Sequence, residues 1–225
     1  MIYKTINLKW LGHSSFRIIT GDKKVIYIDP YRIYGEDHEI EKADFIFITH
    51  SHYDHCSIED IQKIAKDNTT IICPADISSK LRHINQKINI KLAEIGQRQD
   101  LIEEVIKFWP VPAYNINKVY HSKEEEWVGY IIQINDTLIY HAGDSDLIPE
   151  MKSIEGIDIA LLPVGGTYTM NAGEAAKAVS IIKPKIAIPM HYGTVSGTGE
   201  RKEADIFSKY CSTEGIQVKI LEKEV

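Results

Sequence analysis

The stretch Thr49-His50-Ser51-His52-Tyr53-Asp54-His55-Cys56 brings three of the chain's nine histidines, with one aspartate between them, into six residues. It continues a β-rich run, Asp44 to Thr49, that reads as a strand. On extended backbone, side chains two residues apart point to the same face, so His50 and His52 can offer two imidazoles to one metal ion. A turn then redirects Asp54 and His55, and adjacent residues leaving a turn can serve a second ion nearby. Mixed imidazole and carboxylate ligands suit zinc and other divalent first-row metals. A solvated polar turn is the alternative, and it leaves so tight a cluster without a cause. Beyond it, Ser57-Ile58-Glu59-Asp60 supplies a hydroxyl N-cap with an acid three residues on, ahead of Ile61 and Ile64. The cluster therefore sits where a strand runs into a helix.

On the N-terminal side, Ile6 to Leu11, Phe16 to Thr20 and Lys24 to Ile28 alternate as strands, separated by Gly12-His13-Ser14 and Gly21-Asp22, which reads as an antiparallel meander. On the C-terminal side, strands are expected at 70–73, 90–95, 104–111, 127–134, 137–141, 158–164, 185–189 and 216–221. Helices are expected over Ala75 to Arg82, Ala172 to Ile182 and Glu200 to Cys211. Many strands with a few helices favour an α/β fold of two packed sheets covered outside by helices, although periodicity does not fix the topology.

The 225 residues suit one domain, 1–225, with a sizeable core. Hydrophobic content of 44% and charged content of 26% are those of an ordinary globular chain, which excludes a disordered or fibrous class. A net charge of -6 argues against nucleic acid or an anionic membrane as the partner. Met1 to Ile6 lacks a charged region leading into an apolar segment, and no stretch reaches the ~18 apolar residues of a transmembrane helix. Cys56, Cys73 and Cys211 form neither a CxxC pair nor a disulfide framework. A cytoplasmic protein with reduced thiols is the expectation.

The H-x-H-x-D-H segment, Ile28-Asp29-Pro30, Ala142-Gly143-Asp144-Ser145 and Pro189-Met190-His191-Tyr192-Gly193-Thr194 occur in the order in which the metallo-β-lactamase superfamily carries its motifs. The chain resembles that superfamily along nearly its whole length. With Trp10-Leu11-Gly12-His13-Ser14-Ser15 and Val164-Gly165-Gly166-Thr167-Tyr168-Thr169-Met170, it is similar to the branch of L-ascorbate-6-phosphate lactonases and N-acylphosphatidylethanolamine phospholipases D. The resemblance implies a four-layer αββα sandwich and one or two divalent ions, zinc first, with Mn2+, Fe2+ or Ni2+ as alternatives. It also implies that Asp29 supports a ligand imidazole, that the Asp144 carboxylate bridges two metals, that His191 belongs to the second site and that His13 lines the active site. Taken alone, Asp29 reads as a turn residue, Asp144 as a cap and His191 as a core histidine.

One position departs from the family. Its third histidine of the first site follows a strand as P-A-x-H, where this chain has Pro112-Ala113-Tyr114-Asn115. Amide oxygen is the weaker zinc ligand, so His121, six residues on, is the substitute to weigh against Asn115 and against a plain surface role for His121. The expected arrangement has His50 and His52, with His121, on one ion and Asp54, His55 and His191 on the other, Asp144 lying between. Asp54 also orients the attacking water and takes its proton. His141 is expected on the face opposite Asp144, His38 and His83 in solvent, Glu124-Glu125-Glu126 in a solvated loop, and Gly165-Gly166-Thr167 in a structural turn rather than an anion cradle. The implied activity is hydrolysis of an ester, lactone or phosphodiester in a small, anionic substrate, by a monomer or a homo-oligomer. Competing readings are a metal-binding interaction protein without turnover and a nuclease of the same fold, the latter disfavoured by the acidic total.

Overall fold

The computed structural model describes residues 1–35, 39–102, 105–193, 198–213 and 215–224; His38, Glu104 and Thr194 of the sequence reading lie outside them. The chain divides into two compact units, Met1–Ala93 with Leu221–Val225, and Glu94–Ile220.

In the first unit, strands β1 (Ile2–Tyr3), β2 (Ile6–Gly12), β3 (Ser15–Ile19), β4 (Val25–Ile28), β5 (Phe45–Phe47), β6 (Thr70–Cys73) and β7 (Asn89–Leu92) form one sheet in sequence order. β1 to β4 pair antiparallel and β4 to β7 pair parallel. β4 (Val-Ile-Tyr-Ile) and β5 (Phe-Ile-Phe) are short apolar runs with every residue buried, as strands covered on both faces require. Helix α1 (Ile58–Ile64) turns Ile61 and Ile64 into a cluster with Tyr27, Ile46, Ile48 and Ile71. Ser57 caps it as the sequence implies, its Oγ accepting from Asp60 N at 3.3 Å and donating to Asp60 Oδ2 at 2.6 Å.

The second unit repeats this plan. β8 (Gln99–Ile102), β9 (Ile106–Pro112), β10 (Val128–Ile134) and β11 (Thr137–His141) pair antiparallel, and β11, β12 (Ile159–Pro163), β13 (Ile186–Met190) and β14 (Gln217–Val218) pair parallel. Helix α2 (Ala172–Ile182) covers the predicted residues and opens on a capping box between Asn171 and Glu174; α3 (Arg201–Thr213) follows β13. Crossovers on parallel strands bring the loops that leave them to the carboxyl ends of the sheet, where α/β folds place their sites.

The helix expected over Ala75 to Arg82 is instead two 3-10 turns, Ala75–Ile77 and Lys80–His83. Ser78 and Ser79 fall between them, and short hydroxyl side chains compete with helical backbone bonding. The strand read over 90–95 is β7, ending at Leu92, and that over 216–221 shrinks to β14. Among the described residues, no helix is long and apolar enough to cross a membrane.

Candidate metal centre

In the first unit the site grows from the ends of β4 and β5. Asp29 follows β4 with a left-handed φ of 46°, and its N–H donates to Phe47 O at 2.9 Å, fixing it beside the end of β5. Its carboxylate is fully buried. Oδ1 accepts from Thr49 N at 2.8 Å, and Oδ2 accepts from Thr49 Oγ1 and from His55 Nδ1, both at 2.7 Å. A hydroxyl has one proton, and Thr49 spends it on Asp29. The Thr49 oxygen can then only accept from His50 Nδ1, 2.9 Å away. Asp29 thus sets the tautomer of His55 directly and that of His50 through Thr49, leaving each Nε2 with its lone pair, the form that ligates a metal.

The donors fit a divalent ion. His50 Nε2 stands 3.1 Å from His52 Nδ1, close to the roughly 3.3 Å edge of a tetrahedral zinc site with bonds of 2.0–2.1 Å. Ligand atoms of Asp29, His50 and His55 lie within 4.8 Å of one another. His13 enters after a bulge in β2: Gly12 has φ 105° and His13 φ 52°, and Trp10 Nε1 donates to the His13 carbonyl at 2.9 Å. His13 is fully buried with Nε2 3.1 Å from Asp54 Oδ2, while the Asp54 side chain keeps 14% exposure. Asp54 is therefore held from behind by an imidazole and stays within reach of solvent.

In the second unit the loops after β11 and β13 converge. Gly143, at φ 61°, donates its N–H to His141 Nδ1 at 3.1 Å and shapes the turn that carries Asp144. Asp144 Oδ2 faces two imidazoles, His191 Nε2 at 2.9 Å and His121 Nε2 at 3.4 Å, and all three side chains are buried. A carboxylate and two imidazoles are donors that a divalent ion accepts. His191 holds a left-handed φ of 60°. Left-handed backbone costs a non-glycine residue roughly 1–2 kcal/mol, and His13, Asp29 and His191 all bear it. Strain of this kind gathers at functional sites.

Gly165 explains the glycine pair that follows β12. A Cβ there would lie 2.6 Å from His191 O, 2.8 Å from Thr198 O and 3.1 Å from His191 Nδ1. The turn is structural, and what it accommodates is the close approach of the His191 backbone and ring. Asn115, at the family's histidine position, is buried, with Nδ2 donating to Tyr168 O at 2.9 Å and Oδ1 3.1 Å from His121 Nδ1.

The first unit thus gathers His13, Asp29, His50, His52, Asp54 and His55, and the second His121, Asp144 and His191. His83 and Glu124 to Glu126 are exposed. The sequence reading overlooked Thr49, which relays Asp29 to His50, and gave His141 no task. Nothing in the pattern marks Thr49 except its place between a strand and the first histidine. Burial pushes the Cys56 and Cys73 thiols up to about 12, so both stay protonated, and Cys211 is also buried.

Residues 7–191 match the profile of the beta-lactamase superfamily domain. A UPF0173 metal-dependent hydrolase of Caldivirga maquilingensis is 36% identical over 194 residues, 83% of this chain and 82% of the relative. Igni18, a metallo hydrolase from the archaeon Ignicoccus hospitalis, superposes with a TM-score of 0.81 at 27% identity, covering 98% of this chain and 96% of that one. YhfI, a metallo-β-lactamase fold protein from Bacillus subtilis, gives 0.75 over 98% of each chain at 13% identity, a likeness of fold alone. The chain belongs to the beta-lactamase superfamily, with the metallo-β-lactamase fold, and is one of its UPF0173 metal-dependent hydrolases.

Proposed function

We propose that this hydrolase cleaves an ester, lactone or phosphodiester bond in a small anionic molecule, in the cytoplasm, with zinc as its ion. The candidate ligands are His50, His52, Asp54, His55, His121, Asp144 and His191, for one or two divalent ions. The observation that carries the reading is Asp144, whose one carboxylate oxygen is met by two imidazole Nε2 atoms in a buried setting. A bound divalent ion lowers the pKa of water and polarises a carbonyl or phosphoryl oxygen.

The chain's own residues do the rest. Asp29 and Thr49 keep the Nε2 atoms of His55 and His50 free of protons. Asp54, its Oδ2 steadied by His13 Nε2, orients the attacking water and accepts its proton. Asp144 stands between imidazoles and sets their spacing.

Metal analysis of the purified protein, followed by a screen of ester, lactone and phosphodiester substrates, tests the proposal. The expected result is one or two divalent ions per chain, and loss of at least one when His50 and His52 are both replaced by Ala. Unchanged metal content in that double variant refutes the ligand assignment, and a metal-loaded protein inert on all three bond classes refutes the substrate class.

A further inference from the structure

We infer that Asn115 is a positioning residue for His121, its amide fixing which nitrogen of that ring carries the proton. The inference rests on the reading of His121 as a metal ligand and extends it to the residue that takes the place of the family's histidine.

The argument begins at Tyr168. Its backbone carbonyl can only accept, and Asn115 Nδ2 donates to it at 2.9 Å. The amide cannot flip without setting its oxygen against that carbonyl oxygen, so Oδ1 must be the atom that faces His121. Oδ1 is an acceptor, so His121 Nδ1, 3.1 Å away, carries the hydrogen. A neutral imidazole has one proton, which leaves Nε2 with the lone pair, and Nε2 is the atom 3.4 Å from Asp144 Oδ2. Two polar contacts of one amide thus select the ligating tautomer, as a carboxylate or carbonyl partner does for other metal-binding histidines.

The backbone keeps this separate from loop closure. Asn115 N donates to His121 O at 2.7 Å and closes the segment by itself. Ile116 N donates to Asp146 Oδ2 at 2.8 Å, and Lys118 Nζ reaches Asp146 Oδ1 and Thr169 O, each at 2.6 Å. The His121 ring packs edge-on against Trp127, with centroids 5.6 Å apart. These contacts place the ring but say nothing to its proton. Asp144 Oδ2 faces Nε2, and the Asn115 side chain is the acceptor set against Nδ1.

Two variants divide the functions. Asn115→Asp keeps the acceptor toward His121 and gives up the donor toward Tyr168, whereas Asn115→Leu gives up both, with similar volume. In the metal-free, 15N-labelled protein, the imidazole nitrogen shifts of His121 report the tautomer directly. The expected result is a protonated Nδ1 in the wild type and Asn115→Asp, and a population with bare Nδ1 in Asn115→Leu. Cobalt(II) titration followed by its visible absorption should give binding about 10–100-fold weaker in Asn115→Leu, with recovery toward wild type in Asn115→Asp. A wild-type His121 with an unprotonated Nδ1, or cobalt affinity in Asn115→Leu equal to wild type, overturns the inference, and the wild-type spectrum decides even if the Leu variant does not fold. Unchanged cobalt binding in His121→Ala overturns the ligand reading beneath it, a different result from failure of the tautomer test.

Discussion

Asp29→Asn changes one atom of a buried side chain, and the structure says what that atom does. The carboxylate receives three donors: Thr49 N on Oδ1, and Thr49 Oγ1 and His55 Nδ1 on Oδ2. An amide offers one oxygen. If that oxygen keeps Thr49 N, the new NH2 group faces His55 Nδ1 at the 2.7 Å now spanned by a hydrogen bond. The relief is for His55 to move its proton to Nε2, which removes the lone pair a metal needs. Restoring that lone pair on metal binding leaves two donors opposed, a penalty of about 1–3 kcal/mol, which corresponds to metal affinity about 10–100-fold weaker. The fold should survive, because size is kept and Asn tolerates the left-handed φ of 46°. Asp29→Ala removes all three acceptor contacts at about 1–3 kcal/mol each, of the order of the whole stability of a domain, about 5–15 kcal/mol. Competition titration against a chelator measures the first effect and the urea midpoint the second. Wild-type metal affinity in Asp29→Asn, or an unmoved midpoint in Asp29→Ala, would refute the reasoning.

Gly165→Ala places a methyl 2.6 Å from His191 O, so backbone must shift; overpacking of this kind costs about 1–3 kcal/mol. Chemical denaturation should show that loss together with weaker metal binding, and an unchanged denaturation curve would mean the loop yields freely. Asp44 supplies a pH test. Burial raises its carboxyl, but Lys66 Nζ at 2.9 Å and the Val25 N–H outweigh burial and hold it below the ordinary carboxylate range. A depressed folded pKa contributes stability above the unfolded value, lost as pH falls through the folded one. Asp44→Asn should therefore be less stable than wild type at pH 7, with the gap closing below about pH 4; a gap independent of pH in thermal melts would exclude the ionic origin.

The sequence by itself determined the candidate ligands of the first unit. Strand alternation followed by a turn is local physics, and His50, His52, Asp54 and His55 are read from eight consecutive residues. The Ser57 cap, the extent of α2 and most strands are legible for the same reason: caps and periodicity act within a few residues. Asp29, Asp144 and His191 each have a plain local reading, and it took their shared order to single them out. Tertiary structure decided which atoms bear protons. Thr49 lies 20 residues from Asp29, and Asn115 lies 53 from Tyr168. The groups that orient these acceptors, Asp29 for Thr49 and the Tyr168 carbonyl for Asn115, come from distant parts of the chain, so no spacing along it encodes them. Gly165 belongs to the same class, since its missing side chain has meaning only against the backbone of His191. The 3-10 turns in place of a helix over 75–82 show the converse, with apolar spacing suggesting a helix while two adjacent serines broke its backbone ladder. Local pattern chose the residues, and long-range hydrogen bonding, because a buried polar atom must find its partner wherever the fold puts one, fixed what each could do.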